Sequence, residues 1–233
     1  MRQQLTFNGR ALSDFGVWFD GSVSFGSPER DVELVEVFGR DGALSISNDR
    51  FRNIEITFPC AIRSNFITNY RNLMAFLNSS KGYCRLETTQ EPSHYRKALF
   101  MNQTDPTGYK LNTHGRFDLV FQVMPQRFLK SGETSVEVTT TLENPTLFPS
   151  KPIIRVYGNG TLNINDIYIT VADSPYEYVD IDCELMDCYH GSNNANQYVS
   201  FSTTDFVTLQ SGTNSFSIDG FTSVEVTPRW YEV

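Results

Sequence analysis

Hydrophobic and polar positions along the chain alternate with a period of two through most of its length. The clearest run is "GRFDLVFQVMPQRFL", in which Phe117, Leu119, Phe121 and Val123 fall on one side of an extended strand. Earlier, "FRNIEITFPCAI" repeats the pattern through Phe51, Ile54, Ile56 and Phe58, with Pro59 marking a bulge or a strand end. "LTFNG" closes on Asn8-Gly9, and "VELVEVFGRDGALSI" sets Asp41-Gly42 between two β-prone runs. Such dipeptides accept positive φ at both central positions and favour hairpins. Strands are also expected at "GYCRLET" and "RKALFMN", followed by a turn over Pro106–Gly108.

One segment departs from this period. In "RSNFITNYRNLMAFLNSSKG" the residues Phe66, Tyr70, Leu73 and Leu77 are spaced four, three and four apart, and Ile67 with Met74 widens the stripe. That is an amphipathic helix lying against a sheet, capped by Ser64 or Asn65 and ended by Gly82.

The texture changes at Lys130, where Thr, Ser and Glu become frequent and three prolines follow. This predicts two domains, residues 1–132 and 133–233, with 133–152 as a connecting segment. The hexapeptide "TSVEVT" occurs at Thr134–Thr139 and again at Thr222–Thr227. Two copies do not make a repeat architecture, although they could be neighbouring strands. The stretch "IIRVYGNGTLNINDIYITV" raises the question of a phosphate loop. A helix would have to begin after the glycines, and here β periodicity resumes with a change of phase at Asn165-Asp166 that implies a turn or bulge. Gly158-Asn159-Gly160 is therefore read as a hairpin corner.

Composition agrees with a mainly β protein. Of 233 residues, 13% are aromatic, including eighteen Phe and eleven Tyr. The net charge of −8 and the lack of any basic cluster argue against tight sequence-independent nucleic-acid binding and against attraction to an anionic membrane. The N-terminal "MRQQLTFNGR" has no apolar signal core, so folding in the cytoplasm is expected, with Cys60, Cys84, Cys183 and Cys188 as reduced thiols.

Candidate chemistry is sparse. Asp180, Asp182 and Glu184 alternate with apolar residues in "DIDCEL"; three carboxylates on one face could serve a glycosidase or calcium, but a solvated acidic strand face is the simpler expectation. Cys183-x4-Cys188-x-His190 has half of a structural zinc pattern and no second pair of ligands, so Cys183 reads as a small core residue. His94, His114 and His190 stand apart in turn-like contexts and read as surface loop residues. No catalytic, cofactor-binding or metal site is assigned, and no enzyme activity is expected. Tyr176 and Tyr178, two apart after Pro175, share a face and are the candidate carbohydrate contact.

Several stretches together resemble the distal tail protein (Dit) family of siphophages, closest to those infecting Gram-positive bacteria. They are "LTFNGRALSDFGVWF", "VEVFGRDGALS", "YRNLMAFLNSSKGYCRLETTQEPSHYRKALF", "GRFDLVFQVMPQRFLKSGE", "NPTLFPSKPIIRVYGNG" and the closing "LQSGTNSFSIDGFTSVEVTPRWYEV". The resemblance implies an N-terminal β-sandwich with one helix and a C-terminal galectin-like or carbohydrate-module-like β-sandwich. It further implies a hexameric ring at the distal end of the phage tail, assembled in the host cytoplasm. That ring would join the major tail protein and the tape-measure protein to tail-tip, tail-associated lysin, baseplate and receptor-binding proteins. The alternative is a carbohydrate-binding protein that touches the host cell wall through its C-terminal domain.

Overall fold

The computed structural model describes residues 4–19, 23–101, 106–110 and 113–233, with backbone alone for 107–110. The chain forms two compact units that divide between Arg127 and Phe128.

The first unit contains β1 (Leu5–Phe7), β2 (Arg10–Ala11), β3 (Val17–Phe19), β4 (Arg30–Val35), β5 (Leu44–Phe51), β6 (Ile54–Ile62), α1 (Phe66–Ser79), β7 (Cys84–Thr88), β8 (His94–Phe100), β9 (Thr107–Lys110) and most of β10 (His114–Leu129). Its main sheet runs in the order β2-β1-β7-β8-β10-β6-β3, and β9 also pairs with β10. Asn8 and Gly9 take positive φ in the β1–β2 turn, as their sequence requires. Alternation decides the core. Ile54, Ile56, Phe58, Cys60 and Ile62 of β6 are buried beside Phe117, Leu119, Phe121 and Val123 of β10. Phe7, Phe58 and Phe121 meet at ring-centroid distances of 5.1 and 5.8 Å.

Three expectations change here. Pro59 neither bulges nor ends β6: it pairs in register with Asp118 and stands one residue beyond the last described β3 pair, Phe19↔Cys60. That margin suits a residue with no N–H. The helix spans Phe66–Ser79 and buries Phe66, Leu73 and Leu77 as its stripe predicts, yet Ile67 is exposed. Its first turn has no side-chain cap; Asn65 is left-handed, and Asn69 Nδ2 donates to the Ser64 carbonyl. The chain leaves the helix at Ser80, two residues before Gly82. The segment Pro106–Gly108 leads into β9 and forms no turn; residues 102–105 before it lie outside the described residues.

The second unit is a β-sandwich. Its strands are β11 (Val136–Glu137), β12 (Thr141–Asn144), β13 (Ile153–Tyr157), β14 (Gly160–Ile164), β15 (Ile167–Val171), β16 (Tyr178–Asp182), β17 (Asp187–His190), β18 (Asn193–Asn194), β19 (Val199–Phe201), β20 (Gly212–Asp219) and β21 (Ser223–Thr227). One sheet has the order β11-β21-β13-β16-β17-β18 and the other β12-β20-β14-β15-β19. Inward side chains of both, among them Ile154, Val156, Leu162, Ile164, Ile169, Ile181 and Val226, form the core. The two "TSVEVT" segments lie side by side: Val136 pairs with Val226 and Glu137 with Glu225, antiparallel.

Gly158–Gly160 is a corner of a different kind from the hairpin expected. β13 belongs to the six-stranded sheet and β14 to the five-stranded one, so the chain crosses the sandwich here. The hairpin comes at the phase change, where Asn165 (φ 48°) and Asp166 (φ 67°) turn β14 into β15. Gly160 is required for packing: a Cβ there would lie 2.3 Å from the Asp219 carbonyl oxygen and 2.8 Å from the Phe221 nitrogen. Gly160→Ala is expected to cost about 1–3 kcal/mol in urea unfolding, because backbone must give way. An unchanged midpoint would contradict this close approach.

Candidate interaction surfaces

The β4–β5 ribbon is the first surface. It is a separate two-stranded sheet whose register pairs Val32 with Ser47 and Val35 with Leu44. The register slips between Arg30 and Val32, where β5 carries surplus residues and Asp49 takes a φ of 51°. Such a bulge bends a strand and re-aims its side chains. The bend presents Arg50 and Arg52 to Asp31, which is buried beneath them. Arg50 Nε donates to Oδ2 at 2.6 Å, and Arg52 donates to Oδ1 through Nε at 3.1 Å and Nη2 at 2.7 Å. The Arg52 and Arg50 bonds hold the Asp31 carboxyl at about 2, below the usual carboxylate range. The base of the ribbon is thus pinned, and the rest of it is bare.

Apolar residues occur at both parities of this ribbon. Leu34 projects from one face while Val35, Leu44 and Ile46 project from the other, and Leu34, Leu44 and Ile46 are all exposed. Val37 and Phe38 follow in the connecting loop, Phe38 with its ring wholly exposed. The Asp41-Gly42 hairpin is confirmed as a hairpin, with a longer loop over 36–43 in which Gly39 and Gly42 take positive φ.

The second surface is the outer face of the six-stranded sheet. Alternation puts Arg155 and Tyr157 of β13, Tyr178 and Asp180 of β16, Tyr189 of β17 and Glu225 of β21 on it together. The solvated acidic strand expected from "DIDCEL" is not found. Asp180 and Asp182 are 5% and 1% exposed, each held by an arginine fork. Arg155 donates to Asp180 at 2.7 and 2.9 Å, and Arg229 donates to Asp182 at 2.7 and 2.8 Å. Glu184 lies past the strand end, 3.5 Å from Arg229 Nη1. Burial pushes the Asp182 carboxyl up, but the Arg229 fork and the backbone amides of Leu185 and Glu184 outweigh it and leave it lowered.

Tyr176 and Tyr178 converge on His190. The Tyr176 ring stacks on the imidazole at 4.7 Å and 7°, the Tyr178 ring lies 4.3 Å from it, and His190 Nδ1 sits 3.0 Å from the Tyr178 carbonyl oxygen. Tyr178 also carries the Arg155 guanidinium 4.3 Å above its ring. His190 and His94 are strand-end residues, half-buried, where surface loops were expected; His114 is exposed at the start of β10. Burial pushes the Cys183 and Cys188 thiols up to about 12, and both pack in the core of the sandwich. Among the described residues no group of three or more His, Cys, Asp or Glu could hold a metal ion. Among the described residues no helix is long and apolar enough to cross a membrane.

Comparison of the folded chain with solved structures aligns it end to end with the Dit protein of phage SPP1, described as a hub of the adsorption apparatus in phages infecting Gram-positive bacteria. The TM-score is 0.76 at 13% identity, covering 97% of this chain and 98% of that one. The chain has the Dit fold. Two structures of the phage P2 baseplate in its activated conformation, with calcium and with strontium, match with TM-scores of 0.60 and 0.59 at 12% and 11% identity. They cover 97% and 96% of this chain and 97% of each of those chains. No protein-family model and no curated sequence matches. The Dit fold accounts for both units in one alignment, and the neighbours that share it are described as hub and baseplate structures.

Proposed function

We propose that this chain is a structural hub of a phage tail tip, working as a ring of six copies at the distal end of the tail. The observation that carries the reading is the end-to-end match of both units to the SPP1 Dit hub. The ring joins the major tail protein and tape-measure protein on one side to tail-tip, lysin, baseplate and receptor-binding proteins on the other. It makes and breaks no bond; its work is recognition between surfaces. A closed ring needs one patch to meet a different patch on the next copy. The β4–β5 ribbon suits one half of that contact. A two-stranded ribbon alone is marginally stable, and its outer edges and bare apolar residues invite a partner.

Mass photometry and negative-stain microscopy of the purified chain test this. The expected result is particles near six times 26.5 kDa that show six-fold rings from above. A uniform population of single copies would sink it. Isolated virions should also contain the chain. A carbohydrate-binding role for the C-terminal unit is the second reading, and the sheet face carrying Arg155, Asp180 and Glu225 favours it.

A further inference from the structure

The outer face of the six-stranded sheet holds a hollow, and what it takes rests on the carbohydrate-binding reading of the C-terminal unit given above. It encloses about 220 Å³ and is lined by Ser135, Ile153, Arg155, Asp180, Tyr189, Glu225 and Thr227. We propose that this hollow binds one neutral pyranose ring.

Its size is below the range of about 300–1,000 Å³ typical of drug-sized ligands, which restricts it to a single small ring or the end of a chain. Its polar groups are fixed before any ligand arrives. Both oxygens of Asp180 accept from Arg155, and the guanidinium rests on Tyr178. Glu225 is held from two sides, by Ser135 Oγ at 3.2 Å and by the Tyr157 hydroxyl at 3.4 Å. Rigid, planar, charged groups side by side offer the donors and acceptors that neighbouring sugar hydroxyls need, with little ordering cost on binding. Tyr189 and Thr227 also line the hollow, and their hydroxyls make no hydrogen bond among the described residues. Ile153 supplies an apolar spot for the C–H face of a ring.

Charge sets the class. Two carboxylates face one guanidinium, so the lining has an excess negative charge that opposes uronic acids, phosphates and nucleotides. Tyr178, a candidate contact from the sequence, lies beneath Arg155 as a support, and Tyr176 is spent on His190.

Saturation-transfer-difference NMR on the full chain tests the site, using methyl glycosides of glucose, galactose and N-acetylglucosamine, with methyl glucuronide as the anionic comparison. At least one neutral glycoside should give a saturable signal in the millimolar range, and the glucuronide should give none. Tyr189→Phe removes only a hydroxyl and should weaken binding about 5-fold, the loss of one hydrogen bond. Arg155→Met should abolish the signal, with its fold checked by circular dichroism; if that variant misfolds, Tyr189→Phe alone decides. Silence from all three neutral sugars at tens of millimolar, equal binding of the glucuronide, or an unaltered Tyr189→Phe would each overturn the proposal. None of these outcomes bears on whether six copies close into a ring.

Discussion

Replacing Leu34 and Phe38 together by aspartate is expected to leave single, folded copies in place of the proposed ring. Both side chains are exposed in the isolated chain, at 68% and beyond 100%, so their removal takes nothing from its core. Surface substitutions of that kind change stability by about 0.5 kcal/mol or less. Buried against a neighbour, each would contribute roughly 1.5–3 kcal/mol, and a new carboxylate at the same place would have to be desolvated as well. The penalty applies at every contact around a ring, so assembly should fail outright. The pinned base, where Asp31 takes Arg50 and Arg52, is untouched by these changes and keeps the ribbon's shape. Mass photometry reads the loss of the large particle, and melting followed by circular dichroism confirms an unchanged fold. Rings that persist in the double variant would remove the ribbon from the contact.

How much of this was visible beforehand depends on the range of the forces involved. The core of the first unit follows from local alternation in β6 and β10 and from the stripe Phe66, Leu73, Leu77, since burial selects one face of a regular element. Turn positions followed too, because Asn8-Gly9 and Asn165-Asp166 carry their own backbone preference. What alternation cannot say is which sheet a strand enters, and for that reason Gly158–Gly160 was read as a hairpin when it is a crossing. The arginine forks escaped for a similar reason. Asp180 and Asp182 find Arg155 and Arg229, 25 and 47 residues away, and only the fold brings them together. A hint was present in "IIRVY", where Arg155 stands at an outward position between two inward ones. The ribbon also left a trace: in "VELVEVFG", Val32 and Leu34 fall on one parity and Val35 and Val37 on the other, a pattern that suits no strand with one face in water.

The largest effect on stability is expected from Arg229→Met. Asp182 is 1% exposed, and the guanidinium supplies two of its four hydrogen bonds, the backbone amides of Glu184 and Leu185 the others. Removing one partner of a buried pair leaves a charge with no counterion, at a cost of 3–5 kcal/mol in typical cases. Arg229 is about a quarter exposed, which places this case near the lower figure, about 3 kcal/mol. The pH dependence separates this cause from simple loss of packing. In the native chain the Asp182 carboxyl is lowered, so its contribution is complete above the ordinary carboxylate range and fades as pH falls through the lowered value. In Arg229→Met, burial acts with less to oppose it and raises the carboxyl, so the folded form takes up a proton more readily than the unfolded one. The deficit against the native chain should therefore be largest near pH 7 and shrink toward pH 4. Adding Asp182→Asn should recover part of the loss at pH 7, because the side chain left behind is neutral. Urea midpoints for the native chain, the single variant and the double variant at both pH values decide the matter. A deficit of the same size at pH 7 and pH 4, unrelieved by Asp182→Asn, would show that Arg229 acts through its bulk and not through its charge.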